Sequence, residues 1–359
     1  MRYGMIMAGG SGTRLWPMSR AAQPKQLLPI IDGRSLLAIA WDRLDDIVPA
    51  DRRLICTSEA HRAPIRAGLP GITDDQILGE PVGRDTVNAV ALTAAVLHRR
   101  DPDAVFAILT ADHLIRPQDT VVAAMHEAFR LVEDDPSRLI TFGITPTRPA
   151  TCYGWVRLDT PLADSTVARH VGRFEEKPDE AAARAFYESG RYAWNSGMFV
   201  FHAATVLDLV ERFRPAIAAG MREIADAWGS PAAAATLARV YPTLEKVSVD
   251  HAIMNPAAAE PDITVCVIPM AVEWLDVGSW PSYGETLTPN LSGCRTNTRL
   301  STIDSRNVLA VSDDPTHLIA TIGCDDLIVV HTADATLVCR ADMDQDVKTL
   351  VNELDASLR

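Results

Sequence analysis

The first 145 residues alternate between short, continuous apolar runs and longer segments whose apolar positions recur with the 3.6-residue period of a helix. The runs predict buried strands at residues 3–7, 53–57, 105–109 and 139–142. The periodic segments predict helices at residues 35–44, 86–97 and 120–132. Strands that alternate with helices form βαβ units, so the pattern predicts an α/β fold with a mostly parallel sheet. Such sheets bind ligands beyond the carboxyl ends of their strands.

The middle third of the chain, from about residue 153 to residue 282, mixes the two patterns. Residues 181–187 and 231–240 have helical spacing, whereas residues 199–201 and 264–268 are short apolar runs. We interpret this region as a continuation of the sheet that carries an inserted ligand-binding part.

The pattern changes after residues 288–293, which read Thr-Pro-Asn-Leu-Ser-Gly and are rich in turn residues. Short β-like runs then begin near residues 308, 318, 327 and 336, and this regular spacing predicts a small, solenoid-like β unit. The last segment places apolar side chains on one helical face, which we expect to serve packing or a subunit interface: Val347, Leu350, Val351, Leu354 and Leu358. We therefore predict two domains, residues 1–287 and 288–359, and we find no active-site pattern after about position 285.

Composition and charge exclude several classes of protein. The chain has 359 residues, of which 47% are hydrophobic and 23% are charged, as in ordinary globular proteins. No apolar stretch is long enough to span a membrane, and the first residues are too few for a signal peptide, so we expect a cytoplasmic protein. A net charge of −13 argues against binding to nucleic acids or anionic membranes.

The first 31 residues depart from this acidic balance, because they contain four basic side chains and no carboxylate. A basic opening in an acidic protein suggests a focused anion site, although a chance run is the alternative. Lys25 is one of only four lysines among 34 basic residues, which suggests that a compact point charge is needed there.

A glycine-rich turn follows the first predicted strand. Glycines at such a place let the backbone approach phosphates closely, and their N–H groups form an anion cradle. The turn is not a P-loop, because no Gly-Lys-Ser/Thr follows, and it lacks the third glycine of a dinucleotide fingerprint. Arg14, Arg20 and Lys25 would add positive charge beside the turn, which suits a triphosphate with a pyrophosphate leaving group.

Residues 9–17 read Gly-Gly-Ser-Gly-Thr-Arg-Leu-Trp-Pro, and Pro24-Lys25-Gln26 follows. These segments resemble the signature of sugar-phosphate nucleotidyltransferases, and the Leu-Trp-Pro and Pro-Lys-Gln forms resemble the mannose-1-phosphate guanylyltransferase branch. Other matching segments occur in the family's order: 80–86, 112–113, 153–154, 174–178, 194–199, 248–250 and 276–280. The resemblance implies a Rossmann-like, mostly parallel or mixed sheet with helices on both faces, followed here by the small β unit and a terminal helix.

The resemblance also implies a reaction, in which GMP passes from GTP to mannose 1-phosphate with Mg²⁺ as the cofactor. The sugar phosphate would attack the α-phosphorus in line, and catalysis would consist of positioning and charge neutralisation. The residues implied to be catalytic are Arg14, Lys25, Asp112 and Lys177. The residues implied to bind the nucleotide are Ala8, Gly9, Gly10, Ser11, Gly12, Thr13, Arg14, Lys25, Glu80, Arg84, Thr86 and Asp112.

Asp112 and Asp276 are the implied metal ligands, since Mg²⁺ prefers hard carboxylate oxygens and completes its shell with phosphates and water. By residue type alone, an aspartate at a strand end is more often a helix cap or a turn former. The sugar phosphate is expected to contact Tyr153, Gly154, Glu176, Lys177, Asn195 and Asp276. Of these, Lys177 suits the phosphate of the acceptor and Glu176 suits the sugar hydroxyls.

Glu80 is the candidate reader of guanine, because a carboxylate can accept hydrogen bonds from both N1–H and N2–H₂. The same region departs from the family's usual Gly-Arg-Asn-Thr-Ala-Pro-Ala, since Asp85 replaces its Asn and Asn88 replaces its Pro. Asn255 stands where this branch usually has Glu. These departures leave the phosphate machinery intact and bear on the choice of base and sugar.

Three other functions stay open. The same chemistry could act on another sugar 1-phosphate, of the heptose or glucose type, or with another nucleotide. A non-catalytic regulatory relative would bind sugar nucleotides, but it should have lost metal or basic-loop residues that are present here. A nicotinamide-dependent dehydrogenase is disfavoured by the incomplete glycine fingerprint. The family resemblance also suggests a homodimer, and the chain stops too soon after segment 276–280 for the isomerase domain of longer relatives, so we expect no isomerase activity.

Overall fold

Apolar segments form the strands of a central sheet in the computed structural model, which describes residues 1–10 and 12–359. Among the described residues this part of the chain forms eleven strands, of which six overlap the predicted apolar runs and five were not predicted. The eleven strands are β1 (Arg2–Met7), β2 (Arg53–Ser58), β3 (Ile77–Glu80), β4 (Val105–Thr110), β5 (His113–Arg116), β6 (Leu139–Ile144), β7 (Trp155–Pro161), β8 (Arg169–Glu175), β9 (Tyr192–His202), β10 (Val265–Met270) and β11 (Glu273–Asp276).

The sheet is mixed, and its order among the described residues is β3-β2-β1-β4-β9-β6-β10-β8-β7. Strand β1 runs parallel to β2 and β4, and β2 runs parallel to β3. The carboxyl ends of these four strands therefore lie at one edge, where the loops after β1, β3 and β4 meet. Strand β9 runs antiparallel to its neighbours β4 and β6, and β5 and β11 form a separate two-stranded ribbon.

Helices cover both faces of the sheet, as predicted. They are α1 (Leu36–Asp42), α2 (Arg62–Gly68), α3 (Thr86–Arg100), α4 (Gln118–Asp134), α5 (Glu180–Ser189), α6 (Ala203–Phe213), α7 (Pro215–Ala227), α8 (Ala233–Val240), α9 (Asn255–Ala259) and α10 (Trp280–Glu285). Strand β4 shows how the sheet serves two cores: Phe106 and Ile108 pack towards α3, whereas Ala107 and Leu109 pack with α1 and α4. This alternation follows from the two-residue period of a strand.

Most of the C-terminal strands pair in parallel with strands two positions away in the chain and do not form hairpins. The C-terminal strands are β12 (Arg295–Thr296), β13 (Arg299–Ile303), β14 (Leu309–Ser312), β15 (Leu318–Ile322), β16 (Leu327–His331) and β17 (Thr336–Arg340). Strand β14 pairs in parallel with β12 and β16, and β13 pairs in parallel with β15. Successive strands thus alternate between two sheets, which is the arrangement of a β-helix and confirms the predicted solenoid-like unit. The last strand, β17, reverses direction and pairs antiparallel to β16.

The terminal helix α11 (Val347–Glu353) packs its apolar face only in part as predicted. Val347 and Val351 are buried in a core that also contains Leu15 and Trp16 of the signature segment. Leu350 is exposed and lies outside that core, so of the two expected roles only the subunit interface stays open to it. Within the part of the chain that the structure describes, no helix has both the length and the apolar character needed to cross a bilayer.

Candidate active site

The glycine-rich loop begins where β1 ends and is fixed at its base. The carbonyl of Ala8 accepts hydrogen bonds from Gln26 Nε2 at 2.7 Å and from Thr57 Oγ1 at 2.9 Å. Gly10 and Gly12 have φ values of +97° and +61°, a region that favours glycine. Ser11, which was predicted to bind the nucleotide, lies outside the described residues. Thr13 begins a short 3₁₀ turn, Thr13–Leu15.

Gly12 lets Lys25 lie directly against this loop. A Cβ atom at position 12 would come within 2.6 Å of Lys25 Cγ and 2.9 Å of the Lys25 backbone nitrogen. Any side chain there would therefore displace the lysine as well as strain the backbone. The loop and the Pro-Lys-Gln segment are thus two parts of one packed unit, although Gly12 and Pro24 are twelve positions apart along the chain.

Lys25 lies between the two predicted metal ligands. Its Nζ atom is 2.8 Å from Asp112 Oδ2 and 4.0 Å from Asp276 Oδ1, and it donates a hydrogen bond to the carbonyl of Val277 at 3.2 Å. Asp112 follows β4, and Asp276 ends β11 opposite His113 in the ribbon. The fold therefore brings together two aspartates that are 164 positions apart.

The carboxylates of this cluster are suited to a cation. Oxygen and nitrogen atoms of Asp112, His113 and Asp276 lie within 4.8 Å of one another. Among the described residues, the buried Oδ1 of Asp276 has no hydrogen-bond partner. Burial opposes ionisation of Asp112, yet the nearby Lys25 ammonium holds the pKa of this carboxyl below its ordinary value. Two carboxylate groups with hard oxygen donors match the preference of a divalent metal.

His113 supports this cluster from its edge. The indole N–H of Trp274 donates to His113 Nδ1 at 3.2 Å, and the two rings meet edge to face. Burial lowers the pKa of His113, so the ring is neutral and can accept that hydrogen bond. Tyr153 also packs edge to face on Trp274, with ring centroids 4.7 Å apart. These aromatic rings link the two aspartates predicted to bind metal to the region expected to bind the sugar.

Arg14 reaches the same cluster from the loop side. Its Nη2 atom lies 3.1 Å from the position that a Cβ on Gly278 would occupy, beside Asp276. Its Nη1 atom donates to Gln345 Oε1 at 3.0 Å. Gln345 lies in the C-terminal segment, where the sequence shows no active-site pattern, and it holds the guanidinium of Arg14. No local motif marks Gln345, because its partner lies 331 positions away.

The predicted sugar-phosphate residues form a second cluster. The backbone N–H of Asn195 donates to the carbonyl of Gly154 at 2.8 Å. Glu176 Oε2 lies 3.0 Å from the position of a Cβ at residue 154, so a larger residue there would crowd the carboxylate of Glu176. Lys177 follows with φ at +41°, and its exposed Nζ atom is 3.8 Å from Glu176 Oε1. Strained backbone of this kind is concentrated at functional sites.

Asp250 belongs to this second cluster, although no site role was predicted for it. Asn195 Nδ2 donates to Asp250 Oδ1 at 2.7 Å. Burial raises the pKa of Asp250, and the charge of Glu176 adds to the effect. The residue begins a π-helical turn, Asp250–Met254, which is a rare element that often occurs at functional sites. Its membership of the matching segment 248–250 was the available signal.

The region around Glu80 is braced by the loop at residues 241–249. Thr86 Oγ1 accepts from the backbone N–H of Val249 at 2.8 Å, and the guanidinium of Arg84 donates to the carbonyl of Pro242. Buried Asn88 donates to the carbonyls of Arg84 at 2.7 Å and Glu245 at 2.8 Å. The nucleotide contacts predicted for Arg84 and Thr86 stay predictions, because the contacts that the structure assigns to these side chains are with this loop.

Two of the three departures from the family pattern have structural roles. Asp85 caps helix α3 by accepting a hydrogen bond from the N–H of Thr86 at 2.8 Å. Asn88 supplies the two donors that a proline would lack, and both join α3 to the neighbouring loop. Asn255 is half-buried at the start of α9.

Comparisons with known proteins agree with this arrangement. A family model described as nucleotidyl transferase matches residues 3–291, and one described as MannoseP isomerase/GMP-like beta-helix domain matches residues 299–354. The xanthan biosynthesis protein XanB of Xanthomonas campestris pv. campestris is 35% identical over 99% of this chain and 73% of its own length. A mannose-1-phosphate guanylyltransferase of Escherichia coli K12 is 35% identical over 99% of this chain and 74% of its own length. A crystal structure from Thermus thermophilus, described as mannose-1-phosphate geranyltransferase, superimposes with a TM-score of 0.84, is 29% identical and covers 98% of both chains.

Proposed function

The chain belongs to the nucleotidyl transferase family, and from this premise we propose that it transfers GMP from GTP to mannose 1-phosphate, with GDP-mannose and pyrophosphate as products. The relatives that are named mannose-1-phosphate guanylyltransferases support this choice of substrates. The observation that carries the proposal is the position of Lys25, which packs against the glycine-rich loop and lies between Asp112 and Asp276.

The chemistry requires charge control more than proton transfer. An oxygen of the sugar phosphate attacks the α-phosphorus, the bond to the α,β-bridging oxygen breaks, and pyrophosphate carries away the electron pair. The attacking phosphate is already anionic, so no general base is needed. We assign Lys25 and Arg14 to the negative charge on the reacting phosphorus and the leaving pyrophosphate, and Lys177 to the phosphate of the acceptor.

The family generally uses a divalent metal, and we propose that Asp112 and Asp276 hold Mg²⁺. Two observations support this assignment: Oδ1 of Asp276 has no hydrogen-bond partner among the described residues, and the pKa of Asp112 is lowered. When bound, the ion would neutralise charge on the triphosphate and orient it. The chain's own residues keep both carboxylates close together, and Lys25 favours the ionised form of Asp112.

The second cluster would bind the sugar. Glu176, Asn195 and Asp250 offer acceptors and donors for hydroxyl groups, and Gly154 gives the ligand access to the backbone. Tyr153 and Trp274 lie between this cluster and the aspartates, so the acceptor would rest near these rings with its phosphate towards Lys177. We keep the division into residues 1–287 for catalysis and 288–359 for the β unit, which the two family models support.

We also propose a homodimer, which the exposed apolar side chains Ile303, Leu318 and Ile322 on the outer face of β13 and β15 support. Light scattering of the purified protein tests this proposal, and a mass equal to one chain across the micromolar range would contradict it. The cytoplasmic location predicted from the sequence stays a prediction.

The test of the reaction is pyrophosphate release with GTP, ATP, UTP and dTTP, each with Mg²⁺ and a panel of sugar 1-phosphates. We expect release with GTP and mannose 1-phosphate above every other pair. Pyrophosphate release with a different pair, for example with a heptose or glucose 1-phosphate, would support the mechanism but contradict the proposed substrates. If the folded protein releases no pyrophosphate with any pair of the panel, the alternative of a non-catalytic regulatory relative would be favoured.

A further inference from the structure

Recognition of guanine sets a specific requirement on the protein. The base presents N1–H and N2–H₂ donors side by side, so a carboxylate that accepts from both must be ionised and must be aimed along the edge of the base. Glu80 is the candidate carboxylate, and it ends β3 at the same edge of the sheet as the glycine-rich loop. The following inference rests on the proposed use of GTP.

Glu80 lies in surroundings that disfavour its ionised form. Its side chain is buried, and burial raises the pKa of the carboxyl, with a further contribution from the charge of Asp85. No Lys, Arg or His within the described residues forms an ion pair with Glu80 at 4.0 Å or less. A neutral donor must therefore provide the hydrogen bond that favours the charged form.

Tyr241 provides that donor. Its phenol is fully buried, and its O–H donates to Glu80 Oε1 at 2.5 Å. Burial raises the pKa of Tyr241 far above its ordinary value, so the phenol keeps its proton and stays a donor. The other carboxylate oxygen, Oε2, lies 3.8 Å from the position that a Cβ on Gly9 would occupy, which places it on the loop side of Glu80.

The turn that contains Tyr241 is itself fixed. Tyr241 begins the 3₁₀ turn Tyr241–Thr243, and the guanidinium of Arg84 bonds to the carbonyl of Pro242 in that turn. Asn88 ties the next residues of the loop to helix α3 through the carbonyl of Glu245. The phenol of Tyr241 is therefore presented to Glu80 by a turn that hydrogen bonds hold in place.

We propose that Tyr241 is a positioning residue for guanine, which orients the carboxylate of Glu80 by donating to Oε1 so that Oε2 and the remaining lone pairs of Oε1 face the base. The four acceptor sites of a carboxylate are enough for the phenol and two guanine donors. Selectivity for guanine then depends on a residue that does not touch the base.

The test compares GTP with ITP, which lacks the exocyclic amine, in wild type and in Tyr241→Phe. The variant keeps the ring and its packing but removes the donor. We expect kcat/KM for GTP to fall about tenfold, mainly through KM, and the GTP-to-ITP ratio of kcat/KM to shrink. Tyr283→Phe is the matched control, because Tyr283 is also buried but belongs to a different core, and its ratio should equal that of wild type.

Variants of Glu80 separate failure of this inference from failure of the proposed function. Glu80→Gln should reduce the GTP-to-ITP ratio, and adding Tyr241→Phe to it should reduce the ratio no further. A wild-type ratio in Glu80→Gln would show that Glu80 does not read the base. A reduced ratio in Glu80→Gln together with a wild-type ratio in Tyr241→Phe, or additive losses in the double variant, would overturn the role of Tyr241.

A second variant keeps the test decisive if Tyr241→Phe folds poorly. Glu80→Asp shortens the side chain by one methylene and moves the carboxylate away from the intact phenol. We expect the GTP-to-ITP ratio of kcat/KM in Glu80→Asp to fall to the same extent as in Tyr241→Phe. Retention of the wild-type ratio by a folded Glu80→Asp protein would contradict the need for this hydrogen bond.

Discussion

The two halves of the candidate active site differ in how far the protein has already arranged their charges. In the phosphate half, Lys25 is almost buried, with 11% of its side chain exposed, and it contacts Asp112 and the Val277 carbonyl. In the sugar half, the side chain of Lys177 is 66% exposed and has only a 3.8 Å contact with Glu176. The protein thus holds in place the lysine that we assign to the reacting phosphates, and it leaves the lysine that we assign to the acceptor free to adjust. Preorganised charge of the first kind acts on turnover, whereas adjustable charge of the second kind acts on binding.

Replacement of Lys25 tests the phosphate half and should have the largest effect. We expect Lys25→Met to lower kcat by about 10²–10³-fold, as removal of a preorganised charge-stabilising donor does, while KM for mannose 1-phosphate changes much less. Steady-state kinetics measure both constants. Lys348→Met is the control, since Lys348 is an exposed lysine on α11. If Lys25→Met lost kcat and affinity for mannose 1-phosphate equally, Lys25 would not act on turnover alone, and the two halves would not differ as described.

Replacement of Lys177 tests the sugar half with a smaller effect of a different kind. We expect Lys177→Gln to raise KM for mannose 1-phosphate roughly tenfold, the value of one charge-assisted hydrogen bond, and to leave kcat within a few-fold. Because this lysine is exposed, the wild-type KM should rise with ionic strength and the variant's KM should rise less. A loss of kcat as large as that of Lys25→Met would show that Lys177 acts on the transition state.

Lowering the pH should affect the sugar half of the site before the phosphate half. The pKa of Asp250 in the sugar half is raised by burial, so this carboxylate becomes protonated at a higher pH than an ordinary aspartate. The pKa of Asp112 is lowered by Lys25 against the effect of burial, so Asp112 stays ionised to a lower pH. As pH falls, KM for the sugar phosphate should therefore change before kcat does. In Asp250→Asn the acid-side change of KM should be smaller, and an unaltered profile would exclude Asp250 as its source.

The contact between Arg14 and Gln345 should have the smallest effect. It is exposed, so we expect Gln345→Ala to lower kcat only about two- to fivefold, within the range of a single hydrogen bond, with no change in sugar KM. Thr349→Ala, another exposed substitution on the same terminal segment, provides the control. Identical kcat values for Gln345→Ala and wild type would show that Arg14 holds its place without the C-terminal unit.

Local patterns predicted most of the fold, because strands and helices depend on neighbours a few residues apart. The start of β15 at Leu318 and of β16 at Leu327 coincides with predicted positions. The missing parts of the site depend on partners far apart in sequence. Tyr241 lies 161 residues from Glu80, and no periodicity connects them. Likewise, Asn88 stood out as a departure from a family pattern, but its structural role became visible only with the loop that it braces.

The apolar core that joins the β-helix to the signature segment has a consequence for the lifetime of the enzyme. Leu15 and Trp16 share this core with Val311 and Val330 of the coil, and the Trp16 indole donates to the carbonyl of Leu358 at 2.7 Å. Opening of the coil would uncover the base of the loop that holds Arg14, so the two regions should exchange their amide hydrogens in one cooperative event. The stability of the glycine-rich loop then depends on core side chains of the C-terminal β-helix, to which we assign no role in the reaction.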